Sequence, residues 1–201
     1  DFTTILSMRH EDKLEIYSQL REIYDGRFDR GVGNADPISW KGRIGLIAGV
    51  TCAIDSHSTV QSIMGERFLS YRMEETERKK MMSSARKSMG SEQIMRKELA
   101  QQCYSLLKNF PRRKLNEINI PEAAMDTIMD LADLSCILRT GVDRDHYLKN
   151  VLSIPEPEGP ARLLKQLMLI AKALCDLWGH DEVGKDELKL IARIAISNIP
   201  K

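Results

Sequence analysis

Several things are scarce in this 201-residue chain, and each scarcity excludes something. Aromatic residues make up 5% of it against ten methionines, a bias that suits helix packing better than a β-sandwich. The four cysteines, Cys52, Cys103, Cys136 and Cys175, lie 51, 33 and 39 positions apart. No Cys-x-x-Cys pair exists, which excludes a zinc ribbon and a thioredoxin-type motif. Their apolar neighbours predict buried free thiols in a reducing compartment. The four histidines are as scattered: His10-Glu11 lacks the second histidine of a zincin, and His180-Asp181 reads as polarity at a helix end. No apolar run approaches the ~18 residues of a membrane span and no secretory leader is evident, so a cytoplasmic location without membrane contact is expected. Neither charge dominates. Thirty basic residues against twenty-nine acidic, a formal +1, rule out a wholesale polycation and leave room for a local basic stripe.

What is present is globular in kind: 42% apolar and 29% charged residues in 22.9 kDa, enough for one ordinary domain or two small ones. The chain opens at Asp1 inside an apolar stretch, without an initiator Met, so it is expected to be the C-terminal fragment of a longer protein.

Apolar spacing predicts an amphipathic helix over 9–24, ended by Asp25-Gly26. Residues 27–42, with glycines and Pro37 around Trp40, read as a loop or hairpin-like excursion. Arg43–Val50 is a short apolar run between turn signals, and it reads as a buried strand. Asp55 is placed to cap a helix carrying Val60, Ile63 and Met64, and Phe68–Met73 alternates like a further strand. Beyond Met73 the composition shifts. Residues 74–90 are dense in charge, and a helix over 91–109 carries Ile94, Met95, Leu99, Cys103, Leu106 and Leu107 on one side. Pro121 opens a helix through about Arg139, and a short helix is expected near 143–152. After the Pro155–Pro160 linker comes the strongest helical pattern, 161–178, stopped by Gly179, then a last helix over about 185–198. The expected fold class is therefore an α/β remnant with parallel strands over 1–73, then a charged helical connector over 74–120. An all-helical unit over 121–201 follows, and the whole is mainly α.

The order of elements in 1–73 carries a resemblance. Asp1 stands at what reads as a strand end. A helix follows, then a buried strand ending at Thr51, a further helix, and Gly65-Glu66-Arg67-Phe68 before the next strand. This resembles the second half of an AAA+ P-loop ATPase core, more loosely that of ATPases from bacterial mobile elements and phages. The linker, Ala161–Lys165 and Gly179–Val183 are similar to that family's helical lid. The resemblance implies ATP and Mg²⁺ as cofactors and a homo-oligomer. It implies Asp1 as a Walker B carboxylate on the metal, Thr51 as the polar sensor-1 residue, Arg67 as an arginine reaching a neighbouring subunit's nucleotide, and Arg162 as the lid arginine on the phosphates. In that chemistry catalysis is positioning plus electrostatic stabilisation of the transferred phosphoryl group. The blander roles are a chain-terminal carboxylate for Asp1, a turn cap for Thr51, a surface ion pair with Glu66 for Arg67, and a solvated helix face for Arg162. The chain has no Gly-x-x-x-x-Gly-Lys-Ser/Thr loop, Phe2 follows Asp1 where the family often has Glu, and Thr51 stands where Asn is usual. The chain alone is thus expected to be inactive as an ATPase.

Basic segments offer a second thread. Arg78-Lys79-Lys80 and Arg86-Lys87, interleaved with Glu74, Glu75, Glu77 and Glu92, read as solvated helix faces. Arg112, Arg113 and Lys114, with no acid until Glu117, are the better candidates for DNA phosphates. The leading expectation is part of an AAA+-like ATPase that remodels or translocates nucleic acid; the alternative is a non-catalytic helical DNA-binding or adaptor module.

Overall fold

The computed structural model describes residues 2–32, 35–51, 54–55, 67–74, 76–110, 113–140, 142–145, 147–148, 150–153 and 156–199. It is mainly helical, with two small antiparallel two-stranded sheets. Among the described residues no helix is long and apolar enough to cross a membrane.

The main core is built by three helices, α5 (Glu122–Arg139), α6 (Ala161–Trp178) and α7 (Lys185–Ser197), which pack on one another pairwise. Each begins and ends where local chemistry dictates. Pro121 precedes α5, where a missing N–H costs nothing, and Glu122 complements the positive helix start. Gly179 ends α6 with φ +76°, a left-handed conformation that favours glycine, and the His180 N–H closes on the Cys175 carbonyl at 2.8 Å. The Glu187 carboxylate returns to the Gly184 N–H at 2.9 Å and caps the start of α7. Helical spacing aligns Leu163, Leu167, Ala171 and Cys175 into one stripe, buried against Ile128, Ala132 and Cys136 of α5 and Ile191, Ile194 and Ala195 of α7. Residues 113–120 belong to this unit as well. Ile118 is buried in it, Leu115 and Ile120 pack on it, and Asn119 bridges the α6–α7 turn through Asn119 N–Asp181 O (3.2 Å) and Val183 N–Asn119 O (3.0 Å).

The amino-terminal part differs from the expectation. Helix α1 (Phe2–Leu6) follows Asp1, which lies outside the described residues, and α2 (His10–Tyr24) ends at Asp25-Gly26 as its spacing predicts. Residues 27–41 form an antiparallel hairpin, β1 (Arg27–Val32) with β2 (Ala35–Lys41), in which Phe28 pairs with Trp40. No parallel pair of strands occurs among the described residues, so the expected P-loop sheet remnant is not shown among them. Arg43–Val50 is neither strand nor buried: Ile44, Leu46, Ile47 and Val50 are all exposed. A strand needs a neighbour to complete its hydrogen-bond ladder, and no described strand lies beside this run. Phe68–Met73 forms no strand either, and two of its N–H groups bond to side chains: Ser70 N to Asn198 Oδ1 (2.9 Å) and Arg72 N to Ser197 Oγ (3.2 Å). The helix expected after Asp55 lies outside the described residues; Asp55 itself holds the Arg72 guanidinium at 2.6 and 2.8 Å. Arg72 also donates to the Ser197 and Ile199 carbonyls, which fastens 67–74 to the end of α7. A satellite cluster around buried Tyr17 gathers Phe2, Ile5, Leu20, Ile54 and Phe68.

The helix expected near 143–152 is a hairpin instead, β3 (Asp143–Arg144) with β4 (Val151–Ser153). The Asp145 carboxylate accepts the Leu148 N–H at 2.6 Å, a local bond that competes with helix formation. Two helices, α3 (Arg78–Ser88) and α4 (Glu92–Asn109), are joined by a turn at Gly90, φ +86°, and neither buries a residue.

Candidate functional site

Of the residues expected to converge on a nucleotide, Thr51, Arg67 and Arg162 lie among the described residues. Asp1 lies outside the described residues. Thr51 is exposed at the end of the irregular run, and its carbonyl accepts the Ile54 N–H at 3.2 Å, so its backbone opens a turn rather than ending a strand. Arg67 turns inward: its guanidinium grips Asp25 at 2.9 and 3.3 Å, with its side chain 12% exposed. Arg162 sits exposed in the first turn of α6. One turn further on, Gln166 donates to the Arg67 carbonyl (3.2 Å) and the Tyr24 hydroxyl (2.9 Å), so Arg67 and the Arg162 end of α6 border the same corner.

Beside that corner an open depression of about 260 Å³ is lined by Glu22, Asp25, Arg27 and Asp29. The Ser39 hydroxyl and then Arg27 hold the Asp29 carboxyl below its ordinary value, so it stays ionised. Three carboxylates against one guanidinium repel a polyphosphate. Among the described residues no group of three or more His, Cys, Asp or Glu side chains could hold a metal ion. This depression therefore does not fit a polyphosphate with its metal ion.

The basic triplet is also divided. Arg112 lies outside the described residues, and Lys114 is exposed, 3.9 Å from Glu117. Arg113 is occupied internally. Its guanidinium donates to Asp176 (2.9 Å), Asp181 (2.9 Å) and the carbonyls of Cys175 (2.9 Å) and His180 (2.8 Å). Its hydrogen bond to Asp176 leads in raising its already high pKa. Arg113 thus closes the C-terminal end of α6, where carbonyls lack helical partners and a cation is favoured. Next to it, burial raises the Glu187 carboxyl, but the Gly184 N–H and the His180 ring at 2.6 Å outweigh that and hold it below the ordinary value. Burial, with Glu187 nearby, pushes the Cys175 thiol up to about 11, so it is a packing residue and not a nucleophile. Cys136 is likewise buried, whereas Cys103 is exposed, against the expectation for all four; Cys52 lies outside the described residues.

The feature that sequence reasoning discounted is α3. Arg78, Lys79, Lys80, Arg86 and Lys87 lie on an eleven-residue helix without one acid, and every residue from 78 to 87 is exposed. At 100° per residue Lys79 stacks with Arg86, and Lys80 with Lys87, while Arg78, Met81, Met82 and Ala85 take the opposite side. Of the acids expected to dilute this charge, Glu77 lies beside Lys80 at 3.7 Å, whereas Glu74 binds Arg193 at 2.8 Å and Glu92 accepts the Gly90 N–H at 2.9 Å. The signal was legible as five cations without an acid; proximity along the chain to Glu74 and Glu92 obscured it.

No protein-family model matches the chain, and no curated protein or solved structure matches it either.

Proposed function

We propose that this chain is a non-catalytic, mainly helical nucleic-acid-binding module that holds the phosphate backbone of DNA along α3. The observation that carries this reading is the basic face of Lys79, Lys80, Arg86 and Lys87 on a helix whose residues 78–87 are all exposed. Such a face neutralises phosphates and releases their counterions, a sequence-independent attraction. α3 has no Trp, Phe or Leu on its other side, which argues against a helix built to lie in a lipid interface.

The test is duplex DNA binding by fluorescence anisotropy across a salt series. The four phosphate contacts of this face predict a log–log slope of about −3.6, and alanine at Lys79, Lys80, Arg86 and Lys87 together should remove most of it. A slope unchanged by the four substitutions, or no binding by the parent at low salt, overturns the reading.

A second reading, a lid of AAA+ type that meets a nucleotide held by another part of the protein, is favoured by the corner where Arg162 stands exposed one turn from Gln166 and its bond to Arg67. ATP turnover by the whole protein with and without Arg162→Ala tests it; equal turnover removes it.

A further inference from the structure

We propose that Ser83 is a phosphorylation site for a serine kinase directed by basic residues, and that its phosphate, held by the cations around it, withdraws α3 from DNA. The modification site stands on the geometry of α3; the switching rests on the reading of α3 as a DNA-binding face.

Position singles this serine out. At 100° per residue Ser83 falls within about 60° of Lys79, Lys80, Arg86 and Lys87, at the centre of the basic face. It follows Lys79 and Lys80 by four and three residues and precedes Arg86 and Lys87 by three and four. Those are the spacings at which side chains on a helix meet, with Cβ atoms about 5–6 Å apart. By the same geometry Ser84 neighbours only Lys80 and Lys87. The Ser88 hydroxyl is already engaged, donating to the Ser84 and Ala85 carbonyls at 3.1 and 3.2 Å. Ser83 itself is exposed, and α3 buries no residue. A short helix without tertiary packing opens locally at little cost, so the turn around Ser83 can unwind into a kinase cleft. Arg78, Lys79 and Lys80 before the serine, Arg86 and Lys87 after it, and no acid between them suit a cleft lined with carboxylates.

The kinase passes the γ-phosphoryl group of ATP to Ser83 Oγ. The bond from phosphorus to the β-phosphate oxygen breaks as the Oγ–P bond forms, the hydroxyl proton goes to the kinase's base, and ADP leaves. The new group carries about −1.5 to −2 charge at pH 7 and three acceptor oxygens. Amid the four cations it accepts charge-assisted hydrogen bonds and cancels about half of the charge that DNA phosphates would meet.

The experiment has three readouts on the whole chain. A basic-directed serine kinase with Mg-ATP should place phosphate on Ser83 ahead of Ser84 and Ser88, mapped by mass spectrometry, and Ser83→Ala should remove that product. With phosphoserine installed at 83 or at 84 during synthesis, ³¹P NMR titration without DNA should show the phosphate at 83 ionising at the lower pH. Duplex DNA affinity in 100 mM salt should fall about tenfold or more with phosphoserine at 83, clearly less with phosphoserine at 84, and little in Ser83→Ala. No phosphate on Ser83, equal ionisation at the two positions, or equal loss of affinity from both overturns the proposal. Failure of the parent to bind DNA overturns the reading of α3 and the switch with it. That result is distinct from failure of the switch alone, in which the parent and the chain phosphorylated at Ser83 bind equally.

Discussion

α4 and α6 are each eighteen residues long and each rich in leucine, yet α6 buries Leu163, Leu167, Ala171, Cys175 and Asp176 while α4 buries nothing. Their neighbours make the difference. α6 lies between α5 and α7, with a strap from residues 113–120 closing its C-terminal end through Arg113 and Asn119. α4 is flanked by a Gly90 turn and by α3, whose charge keeps it in solvent. A periodic apolar stripe states which side of a helix avoids water; it does not state that anything within the same chain will cover it.

That contrast can be broken by substitution. Leu167→Ala in α6 should cost about 2–5 kcal/mol, because it opens a cavity among side chains that cannot fully collapse. Leu107→Ala in α4 should change stability by less than about 0.5 kcal/mol. Urea unfolding followed by circular dichroism measures both, and equal costs would mean that α4 is packed after all.

The strap is the next target. Arg113→Ala strands Asp176, 7% exposed, without its cation and should lower the urea midpoint. Arg113→Lys should recover little, since one ammonium cannot span two carboxylates and two carbonyls. Conversely, DNA affinity should fall far less on replacing Arg113 than on replacing Arg86 and Lys87 together. A stable Arg113→Ala protein with lost DNA binding would invert the assignment of the two basic segments.

The smallest effect is in acid. Glu187 is held below the ordinary carboxylate value, so the folded chain binds its proton less tightly than the unfolded chain does. The resulting stabilisation is complete above the unfolded value, about 4.3, and is lost as pH falls through the lower folded value. The thermal midpoint of the parent should drop across this window, and that of Glu187→Gln should drop less. Identical acid profiles would remove Glu187 from the account.

Much of the helical half was legible in the residues. Pro121, Gly179 and the apolar spacing of 161–178 and 185–198 predict α5, α6 and α7 nearly to their ends, because caps and periodicity are local. The strands were less legible. Arg43–Val50 has the composition of a buried strand, but a strand exists only through a neighbour, and that run finds none among the described residues. The site was read least well, for the same reason. Arg113 looked free because its partners, Asp176 and Asp181, lie more than sixty positions away. α3 looked neutralised because Glu74 is close in sequence, although in space it belongs to Arg193.

Composition and spacing alone were enough to establish a mainly helical chain, the positions of its capped helices, and the absence of a zinc-type cysteine motif. Each follows from interactions within a few residues. Which cations face solvent, which are sequestered at a helix end, and which apolar stripe is left bare depended on the folded arrangement. Charge and burial act through space, and folding brings together groups that the linear order keeps far apart.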